Sequence, residues 1–319
     1  MPNGGLSRLH LDSIASLSDG DIIYLLELAQ YYAASLKAGK KIEKHLAGRT
    51  QINLFFETST RTNSSFELAG KKLGADIIKL PIQSSSVQKG ENLRDTVQTL
   101  AAMGADALIV RHREEGVIRF MAEALSEVGL PCAVINAGEG TKGHPTQALL
   151  DALTLLNHFG RTPQQGLKGL RMTICGDIRH SRVAASNAEL MTRLGAELRF
   201  VGPAHMLPDE DFYPAISRGN GLKQGLAGAD IVMALRIQLE RMEDGPGLSN
   251  QDYFQGWGLS HQTMQYAKPG ALIMHPGPIN RGVEIDGTLA DDRNHSLILD
   301  QVAMGVPTRM AVLDAFLSE

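Results

Sequence analysis

A chain of 319 residues is long for one hydrophobic core and fits two domains of about 150 residues each. Its 43% hydrophobic and 21% charged residues are an ordinary globular balance, which excludes a wholly disordered or fibrous chain. The net charge of −4, the lack of any dense Lys/Arg run and an aromatic share of only 5% argue against a protein that grips nucleic acid phosphates or stacks bases. The two cysteines, Cys132 and Cys175, each sit in a short apolar run and make neither a disulfide framework nor a zinc site. Met1 to Gly20 lacks the apolar core of a signal peptide, and no apolar run approaches the ~20 residues that span a bilayer. A soluble, cytoplasmic chain with no membrane partner is the expectation.

In chain order, Leu17–Leu36 reads as a helix, with Asp19 and Asp21 near its start and Ile22, Leu25, Leu26, Ala29, Tyr32 and Ala33 at helical spacing. Short apolar runs follow at Gln51–Phe56, Asp76–Leu80, Ala107–Val110 and Cys132–Asn136, with helical stretches between them. A helix runs from Pro145, at a favoured first position, to about His158, with Leu149, Leu150, Leu153 and Leu156 on one stripe. Arg161–Gly169, with its proline and glycines, resembles a linker. The rhythm then resumes at Arg171–Cys175, Glu197–Val201, Asp230–Leu235 and Ala271–Met274, and His295–Leu317 is a second long helix. The tripeptide Gly-Ala-Asp precedes a strand at Gly74, Gly104 and Gly228, where glycine suits a helix C-cap; with unlike flanks, it reads as recurring turn chemistry rather than an internal repeat.

Continuous apolar strands alternating with helices predict α/β architecture with parallel sheets covered on both faces. The expected fold is two doubly wound parallel-sheet domains joined by two long helices. The domains are residues 1–145 plus 297–319, and residues 146–296. Sites in such folds lie at the carboxyl ends of the strands, toward the domain cleft.

The residues after each strand are the informative ones. Behind Gln51–Phe56 comes Glu57-Thr58-Ser59-Thr60-Arg61-Thr62-Asn63-Ser64-Ser65-Phe66-Glu67, six hydroxyl side chains and an arginine at a strand-to-helix junction. Free N–H groups and partial positive charge at a helix start, joined by hydroxyls and a guanidinium, suit a phosphate. The alternative is a capping box at Ser64 and Glu67, which accounts for one hydroxyl but not for six and Arg61. Other strands are followed by Arg111 and His112, by His144 and Gln147, by Asp177, Arg179, His180 and Arg182, by Arg236 and Gln238, and by His275-Pro276-Gly277-Pro278. A lone arginine there is usually a surface charge. Arg61, Arg111, Arg182 and Arg236 at the same kind of position read as a site for a ligand carrying phosphate and carboxylates. Neither G-x-G-x-x-G after Cys175, nor a Walker A loop, nor H-E-x-x-H, nor G-x-S-x-G occurs, so no cofactor, metal or covalent nucleophile is expected.

The run Phe55-Phe56-Glu57-Thr58-Ser59-Thr60-Arg61-Thr62 with Ser64-Ser65-Phe66-Glu67 resembles the carbamoyl phosphate signature of the aspartate/ornithine carbamoyltransferase family, and His144-Pro145-Thr146-Gln147 resembles its second signature. Val232–Arg241 and His275–Ile285 resemble the aspartate-specific catalytic chains; the His-Cys-Leu-Pro and Ser-Met-Gly segments of the ornithine branch are missing. The resemblance spans nearly the whole chain. It implies carbamoyl transfer from carbamoyl phosphate to L-aspartate, giving N-carbamoyl-L-aspartate and phosphate in pyrimidine synthesis.

By the same resemblance, Ser59, Thr60, Arg61 and Thr62 bind the phosphate. Arg111 and His144 reach the carbamoyl oxygen with help from Thr62. Gln147 and the Gly277-Pro278 turn, through the Pro278 carbonyl, hold the carbamoyl amide. Arg182, Arg236 and Gln238 hold the aspartate carboxylates. Ser85 and Lys89, on the loop Gln83–Glu91, match residues that relatives lend to a neighbouring subunit's site, which implies a homotrimer with shared sites. Relatives also associate with regulatory or dihydroorotase-like chains. One departure stands out: Asn63 occupies a position where the family usually has a second arginine. The rival expectations are another amine acceptor such as ornithine, which Arg182 and Arg236 oppose, and a non-catalytic anion-binding subunit, which retention of Arg61, Lys89 and His144 opposes.

Overall fold

The structure, a computed structural model, describes residues 6, 8–80, 92–237 and 249–318. The chain packs as two units, Met1–Leu153 with Ala303–Glu319, and Thr154–Val302.

The first unit opens with α1 (Asp19–Lys37), started by a reciprocal cap in which the Ser18 hydroxyl accepts from Asp21 N–H and the Asp21 carboxylate accepts from Ser18 N–H. The helix therefore begins two residues later than its apolar spacing predicts. Then come β1 (Thr50–Phe55), α2 (Thr60–Leu73), β2 (Asp76–Leu80), α3 (Leu93–Ala102), β3 (Ala107–His112), α4 (Val117–Ser126), β4 (Ala133–Glu139) and α5 (Pro145–His158). The strands form one parallel sheet in the order β2-β1-β3-β4. Two strands outrun their apolar stretches: Arg111 pairs with Phe55, and His112 with Glu139, so β3 and β4 carry polar residues at their carboxyl ends.

The second unit contains β5 (Arg171–Cys175), α6 (Arg182–Arg193), β6 (Glu197–Val201), β7 (Ser217–Arg218), α7 (Leu222–Leu226), β8 (Ile231–Ala234), α8 (Asn250–Trp257), α9 (His261–Met264), β9 (Leu272–Met274) and α10 (Gly287–Ala290). Its parallel sheet has the order β7-β6-β5-β8-β9. The two-residue edge strand β7 has no apolar run to announce it. The helix α11 (Ile298–Leu317) begins three residues later than expected, because Ile273 N–H donates to the His295 carbonyl and Leu297 N–H to the Ile273 carbonyl, holding that stretch extended beside β9. Both α5 and α11 run across the division between the units.

Strand entry is closed in the same way in both sheets. Gly74, Gly104 and Gly228 all have left-handed backbones (φ 92°, 96° and 71°), which L side chains rarely adopt. After Gly104 and Gly228 the aspartate two residues on then clasps the neighbouring strand. Asp106 accepts from Thr50 N–H at 2.7 Å and from Arg49 at 2.8 Å; Asp230 accepts from Arg171 N–H at 2.9 Å and from Lys268 at 2.6 Å.

Cys132 and Cys175 are free and buried in the cores of different units. Burial pushes the Cys132 thiol up to about 12 and the Cys175 thiol higher still, so neither supplies thiolate near neutral pH. A thiol-reactive dye should label the native chain negligibly at pH 8 and label two sites once denaturant is added. Rapid native labelling would contradict this packing.

Candidate active site

In the first unit the strand order reverses between β1 and β3: the chain leaves β1 for β2 on one side and returns to β3 on the other. Loops diverge at such a reversal, leaving a crevice at the carboxyl ends of the strands. Here those two ends are tied together by Phe56 N–H donating to the Arg111 carbonyl at 2.9 Å.

The helix leaving β1 differs from its neighbours at its N-terminus. In α3, Asn92 caps by accepting from Asp95 N–H, and Asp95 adds a carboxylate to the first turn. In α4, which starts after Gly116, the carboxylate of Glu139 accepts from Ile118 N–H at 2.7 Å; burial raises this carboxyl above the usual range. At α2, Ser59 makes no side-chain capping bond and the first turn holds no acid. A helix start of this kind can take an anion from outside, and Arg61 is exposed beside it.

The structure also sorts the hydroxyls. Ser64 lies inside α2, so the Ser64/Glu67 capping box does not form, and Glu67 pairs instead with Lys71 and Lys79. The Ser65 hydroxyl donates to the carbonyls of Arg61 (2.8 Å) and Thr62 (3.0 Å). Thr58, Ser59, Thr60 and Thr62 remain at the open end, with Thr62 buried. Asn63 joins a buried amide ladder: Gln51 donates to Asn53 Oδ1 at 2.7 Å, and Asn53 donates to Asn63 Oδ1 at 2.8 Å, locking α2 to β1.

Arg111 is held from two sides. Its Nη1 donates to the Ala137 carbonyl at 3.1 Å, and its Nε lies 3.4 Å from Glu57 Oε2. His144, which precedes α5, is buried. Gln147 Nε2 donates to Asp151 Oδ1 at 2.9 Å, both residues being buried. A carboxylate only accepts, so Asp151 orients the amide, and Oε1 is the acceptor atom turned away from that contact.

Sequence reasoning missed the orienting roles of Glu57 and Asp151, and it missed Arg309 altogether. Arg309, fully inside the first unit on α11, lies over the Phe66 ring at 5.1 Å and donates to Thr146 Oγ1 at 3.3 Å. Burial, then the proximity of Arg111, pushes Arg309 down to about 9, which still leaves it a cation at neutral pH. Its partners lie on α2 and in the His144–Gln147 turn, far away in sequence, and no local pattern marks it.

In the second unit the order reverses between β5 and β8. The loops leaving those strands carry Arg182, at the first position of α6 behind the Ser181 cap, and Arg236, two residues beyond β8; both are half-buried. Asp177 accepts from the backbone N–H of His180 (3.3 Å) and lies 2.9 Å from its ring Nδ1, while Arg179 binds the Leu207 carbonyl and Asp209, so these three serve the loop itself. After β9, Gly277 is half-buried and Pro278 exposed, joined by a cis peptide. Ser85, Lys89 and Gln238 lie outside the described residues. Among the described residues no group of His, Cys, Asp and Glu side chains is arranged to hold a metal ion.

Two family models match the chain. That of the aspartate/ornithine carbamoyltransferase carbamoyl-P binding domain covers residues 9–157, and that of the Asp/Orn binding domain covers residues 168–316. The aspartate carbamoyltransferase catalytic subunit of Parvibaculum lavamentivorans is 52% identical over 306 residues, 96% of this chain and 90% of that protein. The subunit so named in Granulibacter bethesdensis is 50% identical, covering 97% and 94%. Among solved structures, aspartate transcarbamoylase of Trypanosoma cruzi in complex with carbamoyl phosphate and aspartate superimposes with a TM-score of 0.85 at 29% identity, covering 98% of this chain and 99% of that one. Ornithine carbamoyltransferase of Pyrococcus furiosus gives 0.83 at 25% identity, covering 94% of each chain.

Proposed function

The chain belongs to the aspartate/ornithine carbamoyltransferase family, and from that premise we infer that it transfers the carbamoyl group of carbamoyl phosphate to L-aspartate, giving N-carbamoyl-L-aspartate and phosphate in pyrimidine biosynthesis. The observation that carries this reading is the uncapped, acid-free start of α2 beside the clamped Arg111. Backbone likeness alone does not choose the acceptor, since the ornithine enzyme shares the fold. The arginines at the β5/β8 reversal favour a dicarboxylate; a cationic acceptor would call for carboxylates there.

The roles divide by unit. In the first, the phosphate takes the N-terminus of α2 with Ser59, Thr60, Arg61 and Thr62. Arg111 and His144, with Thr62, donate to the carbamoyl oxygen. Gln147, oriented by Asp151, accepts from the carbamoyl amide through Oε1. In the second, Arg182, Arg236 and Gln238 take the aspartate carboxylates, and the Gly277-Pro278 turn presents a carbonyl for an amide N–H. When the amine attacks, negative charge builds on the carbonyl oxygen, where losing one donor typically costs ~3 kcal/mol of transition-state stabilisation. Phosphate leaves as an anion, so charge stabilisation and orientation do the chemistry without a covalent nucleophile.

The active assembly is a homotrimer in which Ser85 and Lys89 serve the neighbouring subunit's site. The likeness of the loop Gln83–Glu91 to the family's shared loop supports this, and a lysine is a flexible point charge suited to reaching across a gap. Control by nucleotides calls for a regulatory partner chain or competition at the site. The cytoplasm suits two free cysteines. No helix among the described residues is long and apolar enough to cross a membrane.

Incubated with carbamoyl phosphate, the chain should form ureido product with aspartate and not with ornithine. Arg236→Ala should raise the aspartate half-saturation on the order of a hundredfold, as for a lost charged contact, with carbamoyl phosphate binding close to parental. Equal loss for both ligands, or turnover with ornithine, would overturn the assignment.

Mixing Lys89→Ala with Arg61→Ala under subunit exchange should restore activity. A random 1:1 mixture gives each site roughly a one-in-four chance of an intact pair, so about a quarter of parental activity returns. Hybrids as inactive as both parents would place Lys89 in its own chain's site.

A further inference from the structure

The second unit holds its two ligand-bearing loops with a buried polar hub rather than with sheet pairing. His275, the first residue after β9, is fully buried, and Glu284 is 2% exposed. Gly277 N–H donates to His275 Nδ1 at 2.8 Å. Nδ1 is therefore the unprotonated ring nitrogen, and Nε2 carries the hydrogen that points at Glu284 Oε1, 3.0 Å away. The His275 ring thus spans the turn and the carboxylate. Its own N–H donates to Gln301 Oε1 at 2.8 Å, which fixes the end of β9 to the start of α11.

Glu284 gathers more than the histidine. Its Oε1 also accepts from Asn280 N–H at 2.6 Å, and its Oε2 faces Ile237 N–H at 3.4 Å. The Asn280 side chain returns to the Ile237 carbonyl at 2.9 Å. Ile237 is the residue directly after Arg236. Ile237 and Val283 are also packed in one buried apolar cluster with Met206 and Tyr253. The backbone carrying Arg236 and the segment Gly277–Asn280 are thereby locked to one carboxylate, beyond the last ladder pair between β8 and β9, Met233 with Met274.

We propose that Glu284 is a positioning residue for aspartate: by accepting from His275, Asn280 and Ile237 it sets the register between the Arg236 loop and the Gly277-Pro278 turn. This rests on the reading that Arg236 binds an aspartate carboxylate. Glu284 reaches the substrate through Arg236 rather than by contact. A glutamine keeps the shape but supplies one acceptor oxygen, so its amide nitrogen would meet either Ile237 N–H or the donors on the other side, leaving buried donors facing each other.

The experiment compares the parent chain, Glu284→Gln, Asn280→Ala, Arg236→Ala and the double variant Glu284→Gln/Arg236→Ala, in the full-length enzyme with carbamoyl phosphate saturating. Glu284→Gln should raise the aspartate half-saturation on the order of tenfold, the scale of a buried donor left unpaired. Its carbamoyl phosphate affinity should fall by less, since on the proposed reading the phosphate and carbonyl donors lie in the first unit and only the Pro278 carbonyl is held by the hub. Asn280→Ala should move aspartate in the same direction by less. On the Arg236→Ala background, Glu284→Gln should add little further, because the arginine it positions is gone. A merely structural role would lower the melting temperature and leave the aspartate half-saturation unmoved, and that result overturns the proposal. Full additivity with Arg236→Ala also overturns it. Should Glu284→Gln fail to fold, Asn280→Ala decides: a raised aspartate half-saturation supports the hub, an unchanged one removes it. A folded parent that forms no ureido product from aspartate overturns the functional reading and this proposal together, whereas an active parent with an unaffected Glu284→Gln overturns the proposal alone.

Discussion

A parallel sheet whose strand order reverses sends the loops of two adjacent strands to opposite faces, and the space between their carboxyl ends is the one place where neither loop covers the sheet. This chain makes that reversal twice, between β1 and β3 in one unit and between β5 and β8 in the other. Each reversal has a pair of arginines near the carboxyl ends of its strands: Arg61 in the first turn of α2 and Arg111 at the end of β3 in the first unit, Arg182 at the start of α6 and Arg236 after β8 in the second. On the proposed reading, the chemistry of both substrates follows from the charges the fold places there. Groups around these positions hold the cations in place, as Glu57 and the Ala137 carbonyl hold Arg111.

The first unit shows how that is done. The positive ends of α3 and α4 are answered by Asp95 and Glu139, acids of the chain itself. Of these three helices, α2 has neither a side-chain cap bond nor an acid in its first turn. Behind it, Glu57 and the Ala137 carbonyl orient Arg111, Asp151 orients Gln147, and Arg309 adds a buried cation against Phe66 and Thr146. A buried guanidinium is screened little by water, and its charge is felt at Arg111.

Much of this could be read from the chain alone, for identifiable reasons. Buried parallel strands are continuous apolar runs, so β5 and β6 were legible to the residue, as was the more exposed edge strand β2. The long helix α5 was legible from Pro145 and its leucine stripe. Ends were harder. Nothing apolar marks Arg111 and His112 as strand, because ladder bonds rather than side chains extend β3. His295–Leu297 has helical company downstream but is captured by Ile273. The candidate site residues stood out because several polar types cluster directly after strands. Their supports did not: Arg309 lies 163 residues from Thr146, and Glu284 lies 47 from Ile237, so no local spacing connects them. Asn63 looked like a bare loss of an arginine until the ladder through Asn53 and Gln51 gave it a partner.

The central claim is that the N-terminus of α2 binds the phosphate because the chain leaves it without a carboxylate. Thr60→Asp tests it directly, since Thr60 is the exposed first residue of that helix. An acid there interacts favourably with the helix dipole, worth about 0.3–1 kcal/mol, so the melting temperature should hold or rise. Titration with carbamoyl phosphate should show affinity reduced at least on the order of tenfold, because the added charge occupies the anion's place. Carbamoyl phosphate binding retained at parental strength in a variant of undiminished stability would contradict the account.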